Sequence, residues 1–224
     1  MADAYSSPEA ALADIRGLMA RSGKVLSLSG LSGVWAGGCA LVAAALAYRA
    51  AGVMPLSGVD YYVAYYRQTG DLAGIEPYVL RTGVVTMVVA LAGAIFFTLR
   101  RSRSSGRELW NASSRALLAS LLAPLVAGGV LVLALWHHDV YGFSAAITLV
   151  CYGLALLAGG RYTVDEIRAL GYCEVALGLA VAFFPGYGID AWALGFGVLH
   201  VVYGLVMYRR YEASPATTPH PTYS

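Results

Sequence analysis

The sequence predicts an all-α protein, a polytopic bundle of six transmembrane helices with both termini in the cytoplasm. Two observations lead to this prediction. Only 12% of the 224 residues are charged and 58% are apolar, whereas about 25% of the residues in a soluble domain are charged. The basic residues fall almost entirely in alternate gaps between long apolar runs, and such alternation indicates the orientation of a membrane protein.

Six apolar stretches meet or approach the length of a membrane span, which is about 20 residues for a hydrocarbon core about 30 Å thick. They are 25–47, 80–99, 116–136, 140–159, 169–185 and 191–208. Spanning β-strands would alternate apolar and polar residues, and these stretches are continuously apolar. Helices are therefore expected, because a helix satisfies its own backbone hydrogen bonds within lipid.

The distribution of basic residues sets the direction of the spans. Twelve of the fifteen Lys and Arg residues lie before the first span, in the segments 100–115 and 160–168, or after the sixth span. Because basic residues accumulate on the cytoplasmic side, residues 1–24 are predicted to be a cytoplasmic segment and 25–208 the transmembrane domain. The Pro- and Ser/Thr-containing end, 209–224, is predicted to be a disordered cytoplasmic tail.

The N-terminal segment has the pattern of an amphipathic surface helix over 6–22. Ser7 followed by Pro8 fits an N-cap and a first helical position. Apolar residues recur on one face, at Leu12, Ile15, Leu18 and Met19. The basic residues of this segment could bind anionic headgroups. A helix that only precedes the first span fits the same pattern.

The first span carries a face of small residues built around Gly30, Gly33 and Gly37. Small faces let helix backbones approach closely. The contact could lie within one chain or between copies, and the first is favoured because a six-helix bundle needs such seams.

The segment between the first two spans, 48–79, is crowded with tyrosines. They are Tyr61, Tyr62, Tyr65, Tyr66 and Tyr78. Tyrosines beside spans are typical of the interfacial aromatic belt. Recognition of a ligand by this outer loop is the alternative, because exposed loops often carry function.

Residues 139–155 align without gaps on residues 190–206, which predicts a parallel repeat of a helical hairpin. The identical pairs are Asp139/Asp190, Val150/Val201, Tyr152/Tyr203, Gly153/Gly204 and Leu154/Leu205. The helices preceding these segments do not align. Convergence is the alternative, since an Asp N-cap and a small-residue seam arise independently.

Glu174 and His200 are ionisable residues well inside the predicted spans, whereas Arg81 lies at the outer end of the second span. Glu174 lies roughly 7 Å into the fifth span, and His200 lies about 12 Å from the inner end of the sixth. An acid within the membrane is costly and is a functional candidate. We predict that the two pair in the bundle interior, with Tyr152 or Tyr203 as supporting polar groups. The pair could relay protons or sense pH, or it could be a static bond between helices.

Other residue types suggest no further chemistry. The cysteines fall inside spans without CxxC spacing, which is typical of small buried hydrophobes; they are Cys39, Cys151 and Cys173. His137 and His138, next to Asp139, are too few for a closed metal site, and Asp139 fits an N-cap. No catalytic or nucleotide-binding motif is present in a suitable context. We therefore expect no enzymatic activity, no cofactor, no metal and no nucleic-acid partner.

Both ends of the chain resemble a group of integral membrane proteins of Bacteroidetes-type bacteria to which no activity is assigned. The resemblance rests on 15–22 (IRGLMARS), 26–34 (LSLSGLSGV) and 201–212 (VVYGLVMYRRYE). It implies a location in the bacterial inner membrane and implies no functional residues.

The function expected from the sequence is interaction, as a sensor, regulator or assembly partner in the membrane. Its partners would be the lipid bilayer and a second copy or another membrane protein. The alternative is a small oligomeric transporter or channel that uses Glu174 and His200 along its path.

Overall fold

A computed structural model of the chain describes residues 29–72, 74–105 and 112–213, apart from the side chains of residues 76, 104 and 105. Within these ranges the secondary structure is helical and contains no β-strand. The predicted amphipathic segment 1–24 lies outside the described residues, as does the tail from residue 214.

The described chain forms eight α-helices and one π-helical segment. They are α1 (Gly30–Ala51), α2 (Tyr61–Thr69), α3 (Ile75–Ser105), α4 (Ala112–His137), α5 (Ser144–Gly159), α6 (Asp165–Phe183), α7 (Gly188–Trp192), the π-helix Ala193–Leu199 and α8 (His200–Tyr211). The last three follow one another without a break, and we call residues 188–211 the C-terminal helix.

Five of the described helical segments are long and apolar enough to cross a membrane, which confirms a multi-pass helical bundle. They are Gly30–Ala51, Pro77–Arg103, Ala112–His137, Ser144–Tyr162 and Pro185–Tyr211. The predicted span 169–185 corresponds to α6, which has 19 residues. Its charged residues, Asp165, Glu166, Arg168 and Glu174, keep it outside this group. The sixth span therefore stays a prediction.

Several boundaries differ from the predicted ones. Helix α6 begins at Asp165, because Val164 is extended and the acids of the first turn suit the positive end of the helix dipole. The C-terminal helix continues to Tyr211. The predicted tail, 209–224, is therefore helical over its first three residues.

Asp139 and Asp190 are not helix N-caps, so that part of the sequence prediction is wrong. Asp139 lies in a turn with a positive φ of 58°, and α5 is preceded by Phe143 without a side-chain cap. Asp190 lies within α7 instead. Its Oδ1 accepts hydrogen bonds from the Tyr48 hydroxyl at 2.6 Å and from the Leu56 amide at 2.8 Å.

Four helices form the centre of the bundle: α1, α5, α6 and the C-terminal helix. Helix α3 packs mainly on α1, and α4 packs mainly on α5. Within the chain, none of the apolar stretch of α3 is buried and only 6% of that of α4. These two helices are therefore peripheral and present most of their apolar surface outward.

Two pairs of helices in this centre cross at close range through equivalent glycines: α5 with α6, and the C-terminal helix with α1. A Cβ built on Gly153 would lie 2.7 Å from the Gly171 carbonyl oxygen, and one built on Gly204 would lie 2.5 Å from the Gly30 carbonyl oxygen. Further contacts repeat in the same order: Gly153 meets Val175 as Gly204 meets Val34, and Gly178 meets Val150 as Gly37 meets Val201. Helix α5 therefore crosses α6 through the same positions as the C-terminal helix crosses α1.

This equivalence extends the repeat seen in the sequence and explains its apparent limit. The partner of α5 is the helix that follows it, whereas the partner of the C-terminal helix is the first helix of the chain. The helices that precede the two repeated segments are not equivalent, which is why they fail to align. In this register His200 corresponds to Leu149, and Glu174 corresponds to Gly33.

Hydrogen bonds and an ion pair to Glu212 join three helix ends. Its carboxylate accepts hydrogen bonds from the Ser29 hydroxyl at 3.3 Å and from the Gly30 amide. The Arg101 guanidinium, from the end of α3, pairs with the same carboxylate at 2.5 Å. The start of α1 and the ends of α3 and the C-terminal helix thus lie at one end of the bundle, and Asp190 and Tyr48 lie at the other.

Candidate functional site

Glu174 is fully buried at the centre of the bundle. Its side chain has 0% exposure, and α6 carries it on the face that packs against α5 and the C-terminal helix. Within the described part of the chain neither carboxylate oxygen has a hydrogen-bond partner. A buried polar group without such a partner is costly, so its presence calls for a structural or functional reason.

The structure brings His200 next to this carboxylate. His200 is 6% exposed and is the first residue of α8. Its Nδ1 lies 3.5 Å from Glu174 Oε1 and 2.9 Å from the Gly195 carbonyl oxygen. Its Nε2 lies 2.7 Å from the Tyr152 hydroxyl. We call Glu174, His200 and Tyr152 the polar cluster.

The partners of the imidazole determine where its protons lie. Nδ1 carries a hydrogen, because the Gly195 carbonyl can only accept one. In the neutral ring Nε2 then accepts the hydroxyl hydrogen of Tyr152, and in the protonated ring it donates to that hydroxyl oxygen. The contacts thus run from a phenol through an imidazole to a carboxyl, which is an arrangement that can pass a proton between α5 and α6.

Gly195 provides the space for the carboxylate. A Cβ on this residue would collide with Glu174 Oε2 and would lie 2.6 Å from Leu149 Cδ2. Gly195 belongs to the π-helix Ala193–Leu199, which ends directly before His200. π-Helical segments occur frequently at functional sites. Here the segment supplies both the carbonyl that binds His200 and the notch that accepts Glu174.

Aromatic rings enclose the imidazole. The Phe196 ring is stacked on it at a centroid distance of 5.9 Å, and the Tyr152 ring lies 5.3 Å from it. The Tyr152 and Phe196 rings are themselves 4.9 Å apart. His200 is only 6% exposed, and electrostatic interactions are stronger in such low-dielectric surroundings.

The other residues named from the sequence lie around this cluster rather than in it. Tyr203 packs against a core cluster that includes Leu156 and Ile167, and no hydrogen bond joins it to Glu174 or His200 among the described residues. The packing glycines of α1 lie behind His200: a Cβ on Gly33 would be 3.2 Å from the His200 carbonyl oxygen. Gly30 and Gly37 contact the same helix at Gly204 and Gly197.

The tyrosines of the segment 48–79 form part of a packed core. Helix α2 lies in the segment 48–79, and Asp60 caps it by accepting from two backbone amides. Tyr61 is 8% exposed, and burial raises the pKa of its hydroxyl. The Tyr62 ring lies 5.0 Å from that of Tyr141 and 6.5 Å from that of Trp136.

Neither the metal-ligating side chains nor the cysteines indicate a second functional site in the described part of the chain. No group of three metal-ligating side chains occurs in the ranges that the structure describes. Cys39 and Cys151 are half-buried, and Cys173 is exposed. The expectation of a buried cysteine is therefore wrong for Cys173, whose position on α6 faces outward.

Sequence reasoning singled out Glu174, His200 and Tyr152 but not Gly195 or Phe196. The signal for the two missed residues was present: a Gly-Phe-Gly stretch at 195–197 ends three residues before His200, in an apolar run. Glycine costs helical stability, so two glycines at this place indicate close contacts.

Comparisons with known proteins add no further constraint: no protein-family model, no curated protein and no solved structure matches the chain.

Proposed function

We propose that this protein acts through interaction, as a sensor, regulator or assembly partner in a bacterial inner membrane, and that the polar cluster is its responsive element. The observation that supports this most is the complete burial of Glu174 beside His200. A closed pair of ionisable groups suits a switch better than an open pathway. The resemblance to Bacteroidetes-type membrane proteins supports the location.

The contacts of the cluster indicate how it would act. Glu174 belongs to α6, Tyr152 to α5 and His200 to the C-terminal helix, which in turn packs on α1. Gain or loss of one proton changes the charge at the junction of these helices. Protonation switches work through such local changes when they bias a two-state packing. A partner protein or a second copy on the peripheral helices α3 and α4 would read the change.

A small oligomeric transporter or channel is the second candidate. The π-helix Ala193–Leu199 favours it, because helix irregularities beside ionisable groups are typical of transporter binding sites. In this alternative Glu174 and His200 would exchange protons with an aqueous path during the transport cycle.

A pH titration in liposomes tests both candidates. Trp192, whose ring lies 5.2 Å from that of Phe196, would be kept as the fluorophore after the other tryptophans are replaced by phenylalanine. We expect a pH-dependent change in its emission that is lost in Glu174→Gln, without proton flux across the liposome membrane. Asp165→Asn is the control, because its side chain is 75% exposed.

Two results would contradict the interaction proposal. Proton-coupled flux that disappears in Glu174→Gln would favour the transporter. An emission that does not respond to pH in the parent protein, together with no flux, would argue against both candidates.

We also propose six spans with both termini cytoplasmic. The arginine distribution supports this, as does the position of the helix ends. The end around Glu212 carries Arg100, Arg101, Arg103, Arg209 and Arg210, whereas the end around Asp190 carries Arg49, Arg67 and Arg81. In this arrangement α6 crosses the membrane between α5 and the C-terminal helix.

Single-cysteine labelling tests the topology. In a variant with the three native cysteines replaced, a membrane-impermeant maleimide should label Asp71→Cys and Phe184→Cys from outside intact cells. It should label Arg161→Cys and Ala213→Cys only after the cells are opened. Labelling of Phe184→Cys and Arg161→Cys from the same side would mean that α6 does not cross.

A further inference from the structure

A groove runs between α1 and α3, and none of its lining residues belongs to the polar cluster. The two helices are joined at two levels. The Trp35 indole donates to the Val89 carbonyl oxygen at 3.0 Å, and the Tyr78 hydroxyl donates to the Leu46 carbonyl oxygen at 3.3 Å. The groove encloses about 740 Å³, which is within the range of about 300–1,000 Å³ for small-molecule sites.

The lining of the groove is polar at one end and apolar at the other. The polar side chains are Arg81, Thr82 and Thr86, and the apolar side chains toward the far end are Leu31, Val34 and Phe97. From Arg81 to Phe97 the helix rises roughly 24 Å at 1.5 Å per residue. A ligand that matches this lining has a polar head and a long hydrocarbon chain.

The positive charge of Arg81 indicates that the head of such a ligand is anionic. Among the described side chains no carboxylate lies within 4 Å of its guanidinium. It lies about 9 Å from the start of α3, so its long side chain can reach the membrane interface. A guanidinium binds phosphate through two parallel hydrogen bonds.

The middle of the groove has room for a hydrocarbon chain. Gly38 lies in its wall, and a Cβ on this residue would have no heavy atom within 4 Å. By contrast, a Cβ on Gly93 would collide with the Trp35 indole. The open space at Gly38 is thus a property of the groove and not of the α1–α3 contact as a whole.

We propose that this groove binds one anionic phospholipid, with its phosphate on Arg81 and one acyl chain along Gly38. The lipid comes from the leaflet adjacent to the start of α3. It fills the space between α1 and the peripheral helix α3, which the protein itself leaves open. This site is independent of the polar cluster and of the proposed function.

Native mass spectrometry of the protein in mild detergent tests the proposal. Dioleoylphosphatidylglycerol is titrated against dioleoylphosphatidylcholine, which has the same acyl chains and no net charge. The variants are Arg81→Gln, which removes the charge, and Gly38→Leu, which fills the groove. Their controls are Arg67→Gln, on α2, and Gly129→Leu, where a Cβ also meets open space.

The parent protein should bind one phosphatidylglycerol about fivefold more tightly than phosphatidylcholine, because the choline cation neutralises the phosphate and is repelled by Arg81. A preference of about fivefold is the size expected from one arginine at the interface. Arg81→Gln should remove the preference, and Gly38→Leu should weaken both lipids, while the controls and the helical circular dichroism stay unchanged. The proposal is overturned if Arg81→Gln keeps the preference or if Gly38→Leu binds both lipids as the parent does.

Discussion

Replacing Gly204 with valine is expected to lower the free energy of unfolding by about 3 kcal/mol or more, at the upper end of the cost of overpacking. A Cβ at this position would lie 2.5 Å from both the Gly30 carbonyl oxygen and the Val34 amide nitrogen. Both are backbone atoms, so no side-chain rotation can relieve the collision. The C-terminal helix would have to move away from α1 along the whole seam.

The measurement is unfolding of the detergent-solubilised protein by increasing fractions of sodium dodecyl sulfate, followed by circular dichroism. Gly153→Val should behave like Gly204→Val, because Gly153 occupies the equivalent position in the crossing of α5 and α6. Gly129→Val is the control and should be neutral or slightly stabilising, since its Cβ meets no atom of the chain. Equal stabilities for Gly204→Val and Gly129→Val would contradict the close crossing.

Hydropathy located the long helices well, because every membrane span needs a continuous apolar stretch of about 20 residues. The predicted span 116–136, for example, lies within Ala112–His137. Helix α2 was not predicted, since it is rich in tyrosines and polar residues and lies in a segment that hydropathy marks only as a loop. Its N-cap, Asp60, was visible in the sequence but had no apolar periodicity after it.

Contacts between distant parts of the chain were the main limit. Asp190 was assigned as an N-cap from its local pattern, but it binds Tyr48 and the Leu56 amide, which lie more than a hundred residues earlier. The pairing of α1 with the C-terminal helix is of the same kind. A pattern read along the sequence could find the repeat in α5 and the C-terminal helix, but it could not identify the first helix as the partner of the last.

The candidate site was predictable in part because membrane burial makes ionisable residues conspicuous. Glu174 and His200 stand out against apolar neighbours, and their rise along the helices predicted a small separation. The π-helix could not be predicted, because it depends on backbone hydrogen bonding that the composition of 193–199 does not reveal. Gly195 therefore emerged only from the structure, as the residue that makes room for the carboxylate.

The repeat gives the polar cluster an internal reference. The crossing of α5 and α6 has Leu149 opposite the Glu174 position, and the equivalent crossing of the C-terminal helix and α1 has Gly33 opposite the His200 position. Ionisable groups are thus not required for this type of helix packing. Each of the two positions is apolar in one crossing and ionisable in the other, and the two ionisable residues meet between the crossings. This is the strongest argument that they serve a purpose other than assembly of the bundle.

His200→Leu is expected to lower the free energy of unfolding by about 3–5 kcal/mol, the cost of removing one partner from a buried pair. The leucine itself fits, because Leu149 occupies the equivalent position with 0% exposure. The loss arises from the groups left behind: the Glu174 carboxyl, the Tyr152 hydroxyl and the Gly195 carbonyl, each buried without the imidazole. Val202→Leu is the control, since its side chain is 51% exposed.

The triple variant Glu174→Leu, His200→Leu, Tyr152→Phe separates charge from packing. Replacing a complete buried polar group by apolar residues is often neutral or stabilising, so this variant should recover to within about 1 kcal/mol of the parent. It should also lose the pH response of Trp192 emission. If the triple variant is as unstable as His200→Leu, the cluster is needed for folding itself, and the apolar residues at the equivalent positions of the repeat no longer argue for a switch. If it is stable but still responds to pH, the responsive group lies elsewhere in the chain.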